Sequence, residues 1–339
     1  MEALNVDMLP LIWAGFIAAG ITLYVLLDGF SLGVGILFPF ASPGRDRDLM
    51  MASVAPVWDG NQTWLVGGGA ALFAAFPKAF NLLTTALYLP LMIMLVALVF
   101  RGVAFEFRFK ARNKRFWNAA FIGGSTVAAF CQGLLLGTYV QGFEYDGTRL
   151  VVGALGFLSP FSIIVGFGVV LAYALLASCW LIMKTEGSLQ AQAYLWARRL
   201  LFPVALMVAV VSIWTPLLVP EIAALWFAMP NILLLSPIPI WTAVLVAVLF
   251  WLLNRETGHD VLPFIACVGI YLMTLVGLAI SLWPYVVPRA LTFWDVAAPA
   301  NSLLFVMVGV LLIVPVILVY TAHAYYVFRG KARIEDVYH

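Results

Sequence analysis

Nine runs of apolar residues, each long enough to cross a lipid bilayer, dominate this 339-residue chain: 9–38, 50–76, 80–105, 117–142, 154–183, 200–220, 236–253, 261–285 and 302–328. A hydrocarbon core takes about 20 such residues per helix. Backbone in lipid must satisfy its own N–H and C=O groups, so runs of this kind fold as helices. Hydrophobic residues make up 64% of the chain and charged residues 10%, where soluble domains carry about 45–50% and 25%. No compact soluble core hides that much apolar surface. The predicted fold is all-α: a polytopic membrane protein of about nine transmembrane helices, one integral membrane domain over 1–339. Disorder, collagen, a disulfide scaffold and nucleic-acid binding are excluded. The run 221–235, apolar but short and interrupted by Pro230, reads as an interfacial segment.

Nine spans put the two termini on opposite sides. One side then carries the links 39–49, 101–116, 184–199 and 254–260 and the C-terminal tail. Of the 18 Lys and Arg residues, all but Lys78, Arg149 and Arg289 fall there. Positive charge marks the cytoplasmic side, so the N-terminus is expected outside and the C-terminus in the cytoplasm. That pattern fits the inner (cytoplasmic) membrane of a bacterium, or the membrane of an energy-converting organelle. The first residues, Met1 to Asp7, lack the basic start of a signal peptide, so the first run is expected to be retained.

Two carboxylates lie well inside apolar runs, Asp28 in the first and Asp59 in the second. An ionised carboxylate at mid-bilayer costs roughly 2.5–3.5 kcal/mol on the insertion scale, so such a group faces protein or water. Counted along the runs, each lies on the order of 15 Å below the inner surface, and the two are placed to share one polar pocket. Arg101 and Glu106 sit where the third run reaches the same side. Together these groups read either as a proton path from the cytoplasm or as an Asp–Arg pair that fixes helix packing. Gly29 and Gly33 have the spacing that lets helices approach closely. Asp59 to Thr63 are five consecutive polar or glycine residues, and Asn61 and Gln62 need partners in lipid.

Several chemistries are missing. Cys131, Cys179 and Cys267 all lie in apolar stretches with no CxxC spacing, so they read as buried small residues. Of the three histidines, only His323 is in a span; His259 is in a link and His339 ends the chain. Two facing axial histidines are unavailable, so haem binding by this chain alone is not expected. Walker A, HExxH and Rossmann fingerprints are absent.

Trp58–Trp64 (WDGNQTW) followed by Gly68–Pro77 (GGAALFAAFP) resembles subunit II of the cytochrome bd-type quinol oxidases. Asp28–Gly35 (DGFSLGVG), Phe100–Arg108 (FRGVAFEFR), Leu291–Asp295 (LTFWD) and Val314–Tyr326 (VPVILVYTAHAYY) are similar to further motifs of that family, so the resemblance runs from the first span to the last. It implies nine transmembrane helices and a haem-free subunit of a terminal oxidase that takes electrons from quinol and reduces O2 to water. The haems, of b and d type, and the quinol-oxidising loop would belong to the partner, subunit I. This chain would support that partner and supply cytoplasmic protons through a polar channel, with no catalytic centre and no metal of its own.

By the same resemblance Asp59, Asp28, Arg101 and Ser31 map to the proton path, to which Glu106 is added by its place at the end of the third run, with Trp58, Asn61 and Gln62 as motif support. Many relatives carry an acid where this chain has Ser31, which can relay a proton but holds no charge. Some members hold a structural quinone in this subunit, and no motif here places it. A small single-helix accessory subunit is a further partner of such complexes, and lipid surrounds them. The alternative function is a secondary transporter, which buried acids and glycine-rich helices would also suit.

Overall fold

In the computed structural model the structure describes residues 8–151, 153, 155–255 and 258–333. Readings that fall on Met1–Asp7, on residues 334–339 of the tail and on His339 lie outside them. Eight helices among the described residues are long and apolar enough to cross a membrane. In chain order the helices are α1 (Leu9–Leu37), α2 (Arg45–Val54), α3 (Trp58–Ala75), α4 (Pro77–Ala86), α5 (Tyr88–Arg108), α6 (Arg115–Gln141) and α7 (Pro160–Lys184). There follow α8 (Gly187–Leu218), α9 (Pro220–Phe227), α10 (Asn231–Leu235), α11 (Pro237–Asn254), α12 (Leu262–Leu282), α13 (Phe293–Val296) and α14 (Ala300–Val327).

The second run, 50–76, is not one helix. Pro56 has no N–H to continue the ladder. Val57 N–H turns back to the Val54 carbonyl at 3.0 Å, ending α2, and Asn61 N–H bonds the Val57 carbonyl at 3.0 Å, starting α3. Asp59 therefore stands in the first turn of α3 and not two turns into a longer span. The 18-residue α3 falls outside the hydropathy count because its first turns carry Asp59 to Thr63. The third run is likewise divided, at Leu87, into α4 and α5; Pro90 denies a donor to the first turns of α5.

Two more boundaries move. The fifth span begins at Pro160, six residues later than the apolar run, because Ser159 caps it: its side chain accepts the Ser162 N–H and proline suits the first helical position. The link expected over 184–199 is the start of α8. Leu189, Ala193, Ala197, Leu201 and Val204 bury one stripe of it, and that docking keeps a polar extension helical. The interfacial stretch 221–235 holds α9 and α10 on either side of Pro230.

Two small hairpins cover the end of the bundle opposite to most of the basic residues. β1 (Glu144–Tyr145) pairs antiparallel with β2 (Leu150–Val151), and β3 (Tyr285–Val287) with β4 (Leu291–Thr292). The Tyr139 hydroxyl donates to the Val286 carbonyl at 2.6 Å and the Phe143 N–H to that of Pro288 at 3.3 Å, tying the hairpins together. In the LTFWD stretch, Thr292 and Asp295 form a capping box for α13. The bonds from Thr292 hold the Asp295 carboxyl below the usual carboxylate range.

One core cluster joins α1, α2, α5–α8, α11 and α12; a second sits under the hairpins around Trp13, Phe76 and Leu303. Helix α1 is wedged between α6 and α7. A Cβ on Gly33 would meet the Tyr173 carbonyl oxygen at 1.9 Å, and one on Gly35 would meet the Ser125 Oγ at 2.0 Å. Only glycine permits that approach, and it brings Asp28 into the middle of the bundle.

Candidate functional site

Asp28 and Arg101 form a sealed ion pair. Nη2 of Arg101 donates to the Asp28 carboxylate oxygens at 2.8 and 3.1 Å, and both side chains are 0% exposed. Asp28 lies nine residues from the C-terminal end of α1, about 14 Å of helix, and Arg101 seven from that of α5, about 10 Å. The remaining nitrogens of Arg101, Nε and Nη1, are buried without a hydrogen-bond partner among the described residues. Ion pairing lowers the cost of the two buried charges but leaves those donors unsatisfied.

A chain of neutral groups reaches the pair from α6 and α7. The Tyr173 hydroxyl donates to the Gln132 Oε1 at 2.7 Å, and the Gln132 Nε2 donates to the Tyr24 hydroxyl at 2.7 Å. Tyr24, one turn before Asp28 on α1, lies beside that carboxylate. Tyr24, Gln132 and Tyr173 were not legible as a group, because single polar residues in three separate runs carry no spacing signal.

Asn61 is the polar residue of α3 that faces inward. Its Nδ2 donates to the Leu27 carbonyl at 2.8 Å and to the Ser31 Oγ at 3.2 Å, while its Oδ1 accepts the Tyr325 hydroxyl at 2.8 Å. Ser31, fully buried, also reaches back to the Leu27 carbonyl at 3.4 Å. Trp58 stacks on Phe105 at 4.9 Å, with ring planes 10° apart, and its edge fills the space left by Gly102. Gln62 is half-buried, and its Nε2 has no partner among the described residues.

Asp59 and Glu106 face the other way. Both are exposed on the surface of the bundle, and neither has a side-chain partner among the described residues. They adjoin the Trp58–Phe105 stack in sequence, so they share one level, about 5 Å from the C-terminal end of α5. The shared pocket expected for Asp28 and Asp59 is therefore not formed. The break at Pro56 starts α3 anew, which places Asp59 shallower and on the opposite face from Asn61. The exposed positions of α3, Asp59, Thr63, Val66, Gly67, Ala70 and Phe73, form one helical stripe that is apolar beyond its first turn.

A second ion cluster lies where α2 meets α5 and α6. Arg108, 2% exposed, donates through Nη1 to Asp48 at 2.7 Å and through Nε to Asn118 at 2.6 Å. Lys114 adds a longer contact to Asp48 at 3.3 Å. It anchors α2 and so fixes where α3 begins. His259 and His323 are exposed on separate elements, and no three His, Cys, Asp or Glu side chains converge among the described residues.

Fold and site together define a polytopic helical membrane protein built around a sealed ion pair, with a second acidic face open at the bundle surface. The family model described as cytochrome bd terminal oxidase subunit II matches residues 9–328. The chain belongs to that family: it is a subunit of a quinol oxidase, an oxidoreductase complex that includes a partner subunit 1. It is 26% identical to the cytochrome bd-I ubiquinol oxidase subunit 2 of Escherichia coli K12, over 98% of both chains. It is 30% identical to the cytochrome bd ubiquinol oxidase subunit 2 of Bacillus subtilis, over 56% of this chain and 58% of that one. The bd oxidase of Geobacillus thermodenitrificans shares the fold, with a TM-score of 0.76 at 20% identity over 95% of this chain and 99% of that one. None of these likenesses supports the transporter reading.

Proposed function

We propose that this chain is the haem-free half of the oxidase. It buttresses a haem-bearing subunit I and passes cytoplasmic protons to it across the face of α3 and α5. One observation carries the reading: Asp59 stands exposed at the head of a stripe that is apolar beyond Thr63, in a helix packed among membrane spans. A carboxylate facing lipid is costly, so this face is covered by protein in the assembled complex. The first turn of α3 presents the positive end of its helix dipole, where negative charge is stabilised. Asp59 and Glu106 then take protons from the nearby cytoplasmic surface and hand them across the subunit boundary. Behind them Asp28 and Arg101 are enclosed and paired, a fixed charge pair that holds α1 to α5, while Asn61 and Ser31 hold α1 to α3.

The described histidines do not fit haem, being exposed and far apart in the chain, so the b and d haems are assigned to subunit I. The basic links face the cytoplasm of a bacterial cell, the N-terminus lies outside, and the complex resides in the inner membrane.

A reduced-minus-oxidised visible spectrum of the gently purified complex tests this assignment. Haem b and d bands are expected whenever a larger chain co-purifies, and they are expected to vanish from this subunit once that chain is removed. Haem retained by the separated subunit would contradict the reading.

A further inference from the structure

Helix α14 is largely apolar yet buries one residue, Leu303, near the hairpin end. Its faces do little to hold it, so its position at the other end depends on the residues that follow it. Lys184, the last residue of α7 and 5% exposed, donates through Nζ to the carbonyls of Phe328 and Gly330, the latter at 2.6 Å. Phe328 is the C-cap residue of α14. A buried ammonium thus satisfies a carbonyl at the negative end of the helix dipole. The Lys184 carbonyl in turn accepts the Ala332 N–H at 2.7 Å. Lys331 donates to the Thr185 carbonyl at 3.0 Å and to Asp260 at 2.7 Å. Residues 328–332 therefore form a strap laid across the ends of α7 and of the link before α12.

The strap is in series with α3. One turn upstream of Phe328, the Tyr325 hydroxyl holds Asn61, whose amide holds α1. The Trp180 ring links the two anchor points: the Lys184 ammonium lies 5.4 Å from its centroid, and Tyr325 meets it edge-on at 6.2 Å.

We infer that Lys184 is a positioning residue. By pinning the strap it fixes the last turn of α14, holds Tyr325 on Asn61, and so sets the first turn of α3 that carries Asp59. Its effect on turnover rests on the proton role proposed for Asp59; the strap itself does not.

The test uses the complete detergent-solubilised complex carrying Lys184→Met, with Lys184→Arg as the conservative control. Trypsin cleavage after Arg329 and Lys331 and haem-normalised O2 consumption are measured side by side. Lys184→Met is expected to speed cleavage about tenfold, the scale of one lost charge-assisted hydrogen bond, and to lower turnover severalfold with haem retained. Lys184→Arg, which can still donate to both carbonyls, is expected to restore both. Cleavage at the wild-type rate would overturn the strap. Faster cleavage with unchanged turnover, in a complex where Asp59→Asn does slow turnover, would overturn the positioning role. If Asp59→Asn is also without effect, the proton reading has failed, and turnover no longer supports the positioning role. Should Lys184→Met fail to assemble, Lys331→Ala at this half-exposed position weakens the same strap, and unchanged cleavage after Arg329 would overturn it.

Discussion

Arg101→Met alone is expected to abolish accumulation of the oxidase, and Asp28→Leu combined with Arg101→Met to restore it. The single substitution leaves the Asp28 carboxylate enclosed at 0% exposure with no cation. Removing one partner of a buried pair costs about 3–5 kcal/mol, a large part of the stability of a typical domain. Replacing both charges with apolar groups of similar bulk removes the desolvation cost along with the attraction. Two Arg101 nitrogens are already unpartnered, so the pair gives up little when it is replaced whole. Haem content and the ratio of the two subunits in membranes measure the outcome. The turnover of the double variant then separates the two readings that the sequence left open. A packing pair predicts that most of the turnover returns with the haem, whereas a proton carrier predicts a fully assembled oxidase that does not turn over.

Asp59→Asn is expected to behave in the opposite way. Asp59 is exposed at the bundle surface and bonds no other side chain among the described residues, so losing its charge leaves nothing stranded in this chain. Within this chain such a change stays within about 0.5 kcal/mol, and Asn keeps the shape that the covering subunit meets, so haem content should hold. An amide cannot accept and release a proton, so turnover should fall by about a hundredfold, the low end of what a positioned proton-transfer group contributes. Asp59→Glu should recover much of the rate. A fall in haem content and assembly instead would make Asp59 an interface anchor.

These contrasting expectations come from burial, which the sequence conveyed unevenly. The polar string Asp59–Thr63 marked the right helix, but periodicity alone did not say that Asn61 turns inward while Asp59 turns outward. Depth was misread for a physical reason. A 27-residue apolar run averages over one proline, and Pro56 restarts the helix just before Trp58. The Gly29 and Gly33 spacing did announce a close approach, since few other sequence patterns place two bare backbone positions on one helix face. Gln132 and Tyr173 gave no such sign. Each is flanked by apolar and small residues in its run, and their partners, Tyr24 among them, lie 41 or more residues away in the chain. Tyr325 was within a recognised motif, yet its link to Asn61 spans 264 residues, a distance no local pattern encodes. The polar N-terminal extension of α8 was missed because its surface resembles a link, while its buried stripe is only Leu and Ala at helical spacing.

Proton delivery through the α3 face is the central claim, and it is most directly measured by single-turnover reaction of the fully reduced complex with O2 in the presence of a pH-indicating dye. In wild type, proton uptake should keep pace with the oxygen reaction. In Asp59→Asn with a full haem complement, O2 should bind at an unchanged rate while proton uptake lags by about a hundredfold. Proton uptake at the wild-type rate in that variant would contradict the account and leave this chain a scaffold alone.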